Sequence, residues 1–377
     1  MSWSPQQDAA LKAVKAWINS PSSPQVFRLF GFAGTGKTTL AKEITTFVKG
    51  KTLFACFMGK AALVLRKKGC VGASTIHSLI YKPEENDVTG EVEFVLNPIS
   101  KVADVKLVII DEVSQVNDVL GLDLLSFGTK ILVLGDPAQL PPVNGEGFFI
   151  NQKPDIMLTE IHRQAQDNPI IRLSMDVREG RHLELGHYGD SRVMRYGEVS
   201  KEEMASMALD ADQILCGLNG TRHAMNTRVR QLKGMGGLHF QTGNCFPYPT
   251  EQDRLVCLKN NKEKGLLNGG LWEAIHVDLM AQFARIRVAS LDEPERSPID
   301  VDVLYPFFDG NDKLLHWRTK KGFDEFTYSY ALTVHKSQGS QWDDVLLFDE
   351  SRTFREDWRK HLYTGITRAA EKITIVI

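Results

Sequence analysis

The strongest constraint on this chain is the stretch Gly31-Phe32-Ala33-Gly34-Thr35-Gly36-Lys37-Thr38-Thr39, set between an apolar run, Val26 to Phe30, and an amphipathic stretch, Leu40 to Val48. The order predicts strand, glycine loop and helix, the context in which a G-x-x-x-x-G-K-[ST] pattern cradles phosphate. Glycines let successive backbone N–H groups turn inward at a helix N-terminus and form an anion nest. Lys37 adds a mobile positive charge for β- and γ-phosphates. Thr38 offers a hydroxyl to Mg²⁺, a cation that prefers oxygen and keeps most of its waters. A plain glycine turn requires neither that lysine nor that threonine.

The 377 residues leave room for two or more domains with their own cores. A hydrophobic share of 42% with 24% charged residues is that of an ordinary globular protein. Cys56, Cys70, Cys216, Cys245 and Cys257 form no C-x-x-C pair, which points to a reducing compartment and away from structural zinc. Met1-Ser2-Trp3-Ser4-Pro5 lacks the basic-then-apolar pattern of a secretory signal, and no apolar run reaches a membrane span. The expectation is a cytoplasmic location without membrane contact. A net charge of −2 gives no overall pull on phosphate backbones, so a nucleic-acid site must be a local groove.

Ser4 to Ile18 reads as a helix with Ser4 as N-cap and Pro5 at its first position; Gln6 and Gln7 lie in the first turn. Thr52 to Phe57 is a second strand and Gly59 to Lys68 a helix. Val88 to Leu96 alternates around Thr89-Gly90, which predicts a β-hairpin that interrupts the α/β rhythm. Lys106 to Ile110 and Lys130 to Leu134 are buried strands ending in Asp111-Glu112 and Gly135-Asp136-Pro137. Polar clusters at the carboxyl ends of parallel strands fit a doubly wound sheet with a ligand crevice. Gln213 to Cys216 is a strand followed by a helix. From Gly234 onward short β-like runs dominate, Arg254 to Leu258, Ala274 to Leu279 and Phe283 to Val288, which suggests a small inserted barrel. The α/β rhythm resumes near Thr327.

Asp111 at the end of an apolar strand is placed to hold Mg²⁺ through water, and Glu112 to polarise the attacking water as general base. Gln139, in the stiff Gly135-to-Val143 loop, is placed to hydrogen-bond the γ-phosphate or that water. Each of these residues alone reads as a solvated strand end; together with the glycine loop they read as one site. The histidines His276, His316 and His361 have no metal-ligand spacing and read as structural.

These stretches, with several later ones, resemble superfamily 1 helicases of the 5′→3′ group, particularly the phage Dda-type and RecD-like branch, over nearly the whole chain. The resemblance implies an α/β fold of two RecA-like P-loop motor domains with parallel sheets, an inserted β-hairpin pin and an inserted SH3-like β-barrel. Its boundaries would be 1–81 and 103–160 for the first motor domain, 82–102 for the pin, 161–236 and 326–377 for the second motor domain, and 237–325 for the barrel. Gln6 looks like the adenine-reading glutamine, with Gln7 as the alternative alignment. Gly34, Thr35, Gly36, Lys37, Thr38 and Thr39 would hold ATP, and Thr38 with Asp111 would hold Mg²⁺. Gly339, inside the Thr333-to-Trp342 motif, belongs to the same nucleotide set. Arg163, in Glu160-Ile161-His162-Arg163-Gln164, and Arg368, in Tyr363-to-Ala369, resemble the arginines that reach the γ-phosphate from the second motor domain. A guanidinium is a planar fork suited to charge on a transferring phosphoryl group. If both come from a second domain, catalysis requires a closed cleft, and its cycle would drive stepping. Lys60, Thr75, His77, Thr333, His335 and Lys336 match strand-contact motifs. Phe94 resembles the pin residue that stacks on a fork, and Asn268-Gly269 resembles the barrel's Asn-Gly pair. Phe57-Met58 stands where the family carries Pro-Thr. Phe57, Phe246, Tyr248, Trp272 and Trp317 are further stacking candidates, each as well suited to a core.

The implied activity is ATP-dependent 5′→3′ translocation on single-stranded DNA with duplex unwinding, by a functional monomer in a bacterial or phage-infected cell. Single-stranded and fork DNA would be its partners, with single-strand-binding protein or replisome components as protein partners. The alternatives are an ATP-gated DNA clamp that displaces proteins, an RNA helicase, and a subunit of a recombination nuclease complex.

Overall fold

Strands that run through the middle of a parallel sheet are covered on both faces and lose the polar alternation of a surface strand. Leu107 to Asp111 is such a segment, buried at all five positions. The computed structural model describes residues 3–85, 92–142, 147–160, 168–235 and 248–377. They form two compact units, Met1–Gly180 and Arg181–Ile377. Among the described residues no helix is long and apolar enough to cross a membrane.

The first unit opens with α1 (Pro5–Asn19), started by a capping box in which the Ser4 hydroxyl accepts from Gln7 N and the Gln7 side chain accepts from Ser4 N. There follow β1 (Val26–Gly31), α2 (Lys37–Phe47), β2 (Thr52–Cys56), α3 (Gly59–Lys67), β3 (Ser74–Thr75) and α4 (Ile76–Ile80). Then come β4 (Tyr81–Glu85), β5 (Val92–Leu96), β6 (Leu107–Asp111), α5 (Asp118–Leu125), β7 (Lys130–Gly135), β8 (Ile156–Leu158) and α6 (Pro169–Arg178). Six strands make one parallel sheet in the order β3-β2-β6-β7-β1-β8. Leu29 and Ile109 face one apolar layer with Leu40 and Ile44, whereas Phe30 and Ile110 face the other with Ile76 and Phe149. β4 and β5 stand apart as an antiparallel pair with Pro83 opposite Phe94. The turn expected at Thr89-Gly90 lies outside the described residues.

The second unit contains β9 (Gly186–Tyr188), β10 (Ser191–Met194), α7 (Lys201–Asp210), β11 (Gln213–Cys216) and α8 (Asn219–Leu232). Next are β12 (Arg254–Cys257), β13 (Leu271–Leu279), β14 (Phe283–Ser290), β15 (Ile299–Leu304), α9 (Trp317–Lys320) and β16 (Phe326–Tyr328). It ends with β17 (Ala331–Thr333), β18 (Trp342–Phe348), α10 (Trp358–Ile366) and β19 (Ala369–Val376). One sheet has the order β17-β11-β18-β19-β10-β9, parallel except for β9. The other is antiparallel, β15-β14-β13-β12-β16. With its strands numbered along the chain, the first unit's parallel sheet winds 3-2-4-5-1-6 and the parallel part of the second unit's sheet winds 3-2-4-5-1.

Three differences from expectation have physical causes. The border expected at 160/161 falls at Gly180/Arg181, because α6 stays with the first unit, where the Arg178 guanidinium lies 3.7 Å from the Phe32 ring centre. The insertion runs past 325, since Phe326, Thr327 and Tyr328 pair with β12 rather than with the parallel sheet. β9, β10 and β15 were not expected, the first two being only three and four residues long.

A buried ion pair joins α8 to the residue just before β12 in the second unit. Arg230 Nε and Nη2, on α8, donate to the two carboxylate oxygens of Asp253 at 2.8 and 3.0 Å, with the Tyr328 ring 4.1 Å from the guanidinium. Removing one partner of such a pair strands a charge in the interior. His361 is treated less kindly: 1% exposed, stacked 4.1 Å from Phe354, it has no hydrogen-bond partner for either ring nitrogen among the described residues. Burial, and secondarily the neighbouring His335, push its pKa down to about 3. The unfolded imidazole gains its proton near the ordinary value of about 6.5, the folded one only near 3, so stability is lost as pH falls from the first value toward the second. His361→Phe should therefore raise stability near neutral pH by about 1–2 kcal/mol and flatten its acid limb, as read by urea denaturation at several pH values. An unchanged acid limb refutes this account.

Candidate functional site

The carboxyl ends of β1, β6 and β7 lie on one edge of the first sheet, since all three strands are parallel and adjacent. The glycine loop leaves β1 there. Gly34 and Gly36 adopt φ of 78° and 79°, the left-handed region that favours glycine. Gly36 is the N-cap of α2 and makes no side-chain cap, so the helix N-terminus is left to a ligand. A Cβ at Gly36 would come within 2.9 Å of Gln7 Nε2. Thr35 is buried and Thr39 exposed on the first turn. Lys37 Nζ donates to the loop's own carbonyls, Gly31 O at 2.6 Å and Phe32 O at 3.0 Å.

Thr38 Oγ1 donates to Asp111 Oδ2 at 2.8 Å, across 73 positions of chain. Asp111 Oδ1 accepts the Glu112 N–H at 2.9 Å. Burial, then the Glu112 charge, raise the Asp111 pKa, against the pull of Thr38 and Lys37. Two neighbouring carboxylates with a hydroxyl beside them are an oxygen donor set that fits Mg²⁺ carrying waters and phosphate oxygens. No cluster of three or more His, Cys, Asp or Glu side chains capable of holding a metal alone exists among the described residues. Glu112 sits at φ 54° and ψ 49°, a conformation uncommon for a residue with a Cβ, which turns its side chain away from the run of the strand. Gln139 follows β7 and is 6% exposed, yet its Oε1 has no partner among the described residues. An orphaned buried acceptor at this edge is what a site awaiting a donor contains.

The two glutamines of α1 separate cleanly. Gln7 is buried, closes the capping box and donates to Thr35 O at 3.1 Å, bracing the loop from behind. Gln6 is part-exposed, donating to Thr159 Oγ1 at 3.0 Å and accepting from Thr159 N and Glu160 N.

Among the strand-contact candidates of this unit, Lys60 is buried at the start of α3 and Thr75 is the N-cap of α4, accepting from Ser78 N. His77 is exposed beside Phe57 and Tyr81, with ring centres 5.7 and 5.6 Å away. Phe94 is 63% exposed on the hairpin. Of the other aromatics, Trp272 is core, Tyr248 packs on Tyr305 and Trp317 is exposed.

In the second unit Thr333 ends β17 and its hydroxyl accepts Lys336 N. His335 packs on Phe354. Lys336 Nζ donates to Asn268 Oδ1, so the loop after β17 is tied to the antiparallel insertion, and burial lowers the Lys336 pKa. Gly339 takes φ 73° in the same loop. Arg368 is 5% exposed and donates to Thr364 O, Ser340 O and Thr367 Oγ1, all neutral acceptors. Arg163 lies outside the described residues, as do Phe246 and Cys245; the other four cysteines are free and buried. Sequence reasoning missed Arg178, whose stack on Phe32 had no local signal. It also missed Glu350, whose carboxylate accepts from Gly217 N, Leu218 N and Thr221 Oγ1, although a second Asp-Glu at a strand end was visible.

A strand–glycine loop–helix with a lysine and a threonine bonded to a strand-end aspartate, and a second α/β unit that shares the 3-2-4-5-1 winding, define a P-loop nucleotide-binding protein with two α/β units. Residues 2–198 match the AAA domain family and residues 328–376 the UvrD-like helicase C-terminal domain. The chain belongs to the AAA domain family. It is 31% identical over 369 residues to the ATP-dependent RecD2 DNA helicase of Deinococcus radiodurans, covering 91% of this chain and 46% of that protein. The chain thus spans about half the length of that relative. The Bacteroides Pif1 helicase solved with ADP-AlF3 and single-stranded DNA superposes with a TM-score of 0.58 at 18% identity, over 99% of this chain and 92% of that one. A Pif1 structure describing unwinding at forked duplex DNA by two coordinating helicases gives a TM-score of 0.57 at 18% identity, with the same coverage.

Gln7→Ala removes a cap and a loop brace and should cost about 1–2 kcal/mol of stability. Gln6→Ala should leave the melting temperature within about a degree while erasing the preference for ATP over CTP in hydrolysis. The reverse pattern would assign the base-reading role to Gln7.

Proposed function

We propose that this chain is an ATP-dependent DNA helicase that translocates 5′→3′ on single-stranded DNA and unwinds duplex. The observation that carries the reading is the Thr38–Asp111 hydrogen bond at the mouth of an open glycine nest. In the hydrolysis step water attacks the γ-phosphorus, the bond to the β,γ-bridging oxygen breaks, and ADP and phosphate leave. Glu112 takes the proton from the water. Lys37 gives up its carbonyl partners for phosphate oxygens, and Gln139 supplies its amide donor or acceptor to the water or γ-phosphate. Thr38 and Asp111 would hold Mg²⁺, which would offset charge on the phosphates. Arg163 and Arg368 are assigned to the charge that develops on the γ-phosphoryl group. The all-neutral acceptors around Arg368 support this, since no carboxylate is lost when its guanidinium turns to phosphate.

Thr75, His77, Thr333, His335, Lys336 and Lys60 are assigned to strand contact, and the β4–β5 hairpin to a separating pin with Phe94 at the fork. The five-stranded antiparallel sheet is read as an SH3-like barrel; the Asp324 N–H to Asp302 O bond of 2.8 Å, linking the approaches to its two outer strands, supports closure. Fork DNA as substrate is supported by the similarity to the Pif1 structure of unwinding at forked duplex DNA; single-strand-binding protein or replisome contacts extend the same reading.

ATP hydrolysis should rise at least tenfold on addition of oligodeoxythymidylate, and Lys37→Ala should abolish it. Duplexes tailed on one strand report polarity: unwinding only from the 5′ tail is expected. Phe94→Ala should lose unwinding and keep strand-stimulated hydrolysis. Hydrolysis indifferent to DNA, or unwinding that survives Lys37→Ala, overturns the proposal.

A further inference from the structure

The shared 3-2-4-5-1 winding gives each unit a comparable crevice. In the first unit the first strand, β1, leads into the glycine loop, and the fourth, β6, ends in Asp111-Glu112. In the second unit the first strand is β10, and the fourth, β18, runs into Asp349-Glu350. Open α/β sheets bind ligands at the carboxyl ends of their strands. The second unit has a half-open cavity of about 960 Å³ at this place, reached by the residues following β10 and β18 and walled by α10.

Its chemistry differs from that of the first crevice. Asp349 accepts from Ser351 N and Glu350 is consumed by α8 and its approach, so neither carboxylate is arranged for a metal. The loop after β10 has no glycine nest, and α7 begins with Glu202 and Glu203, which repel phosphate from that helix end. Positive charge comes from side chains instead: Arg181, Arg195 and Arg352 line the cavity, and neither Arg195 nor Arg352 forms a salt bridge among the described residues. Besides the lining carboxylates Asp349 and Glu350, already engaged by backbone and hydroxyl donors, a further anion beside Arg195, Glu198, is held by Arg192 and by the Arg195 backbone N–H. Tyr196, 77% exposed, and Trp358 supply aromatic faces. Ser351, 1% exposed, also lines the cavity, and its hydroxyl has no partner among the described residues.

We propose that this crevice is a second binding site, for a nucleoside phosphate: the base on Tyr196 or Trp358, the phosphate on Arg195 and Arg352, and a polar edge on Ser351 Oγ. Arginine with stacking aromatics is the usual platform for a nucleotide unit without a metal. The same chemistry is offered by a free nucleotide and by one unit of a single strand. The site rests on the second unit alone and not on the translocation reading.

The test uses the full chain with Arg195→Ala/Arg352→Ala, and Arg195→Lys/Arg352→Lys as the charge-preserving control. For the free-nucleotide source, fluorescent N-methylanthraniloyl-ADP is titrated in a Lys37→Ala background; a residual site that the alanine pair removes supports the proposal. For the strand source, oligodeoxythymidylate affinity is measured against salt. Loss of the one phosphate held by both arginines should make the log–log slope shallower by about 0.7, with the lysine pair retaining it, and 5-iododeoxyuridine should photo-crosslink to Tyr196 or Trp358. Either arm supports the site. No residual nucleotide binding together with an unchanged slope overturns it, even if the protein unwinds DNA. A chain that binds no strand but keeps the second nucleotide site leaves this inference standing and removes the translocation reading.

Discussion

A carboxylate at the end of a fully buried strand is expensive unless something nearby repays its lost hydration. Asp111 is in that position, with a second carboxylate next to it in sequence and its two oxygens bonded by Thr38 and by the Glu112 N–H. Charge-assisted hydrogen bonds of this kind contribute about 1.5–3 kcal/mol each, less than the several kcal/mol that burial of an ion costs. The deficit explains why the glycine loop must close on this strand end and why the pair suits a divalent cation. The parallel winding is what makes the meeting of residues 38 and 111 possible at all.

Much of the first site was legible because its signals are local. The glycine loop, the helix cap at Ser4, and Asp111-Glu112 after an apolar run each announce themselves within about ten residues. The division of labour between Gln6 and Gln7 was not legible: adjacent residues on one turn differ in burial only once α1 is docked, and then Gln7 faces Thr35. Arg178 was invisible for a similar reason, since its ring contact spans nearly the whole unit. The short strands β9 and β10 escaped because so few residues carry little periodicity, and β16 was misassigned because Phe326 to Tyr328 reads equally well in either sheet.

The two units illustrate how little the winding of a sheet says about the chemistry at its edge. Both bring an Asp-Glu pair to the end of the fourth strand. In the first, the pair faces an open nest and a lysine; in the second, Glu350 has become a cap for the backbone of Gly217 and Leu218. What separates them is the loop after the first strand: two glycines at positive φ followed by Lys37 and Thr38 in one case, and Arg195, Tyr196 and the single such glycine Gly197 running into an acidic helix start in the other.

Among the ties between the antiparallel insertion and its α/β host, two have opposite character: the buried Arg230–Asp253 pair beneath Tyr328 and the Lys336–Asn268 bond at the loop after β17. The first behaves as a weld and the second as a latch, one deep and ionic, the other a single contact between side chains. A displacement of the inserted sheet is therefore felt at α8 through the weld and at the loop of Thr333 and His335 through the latch.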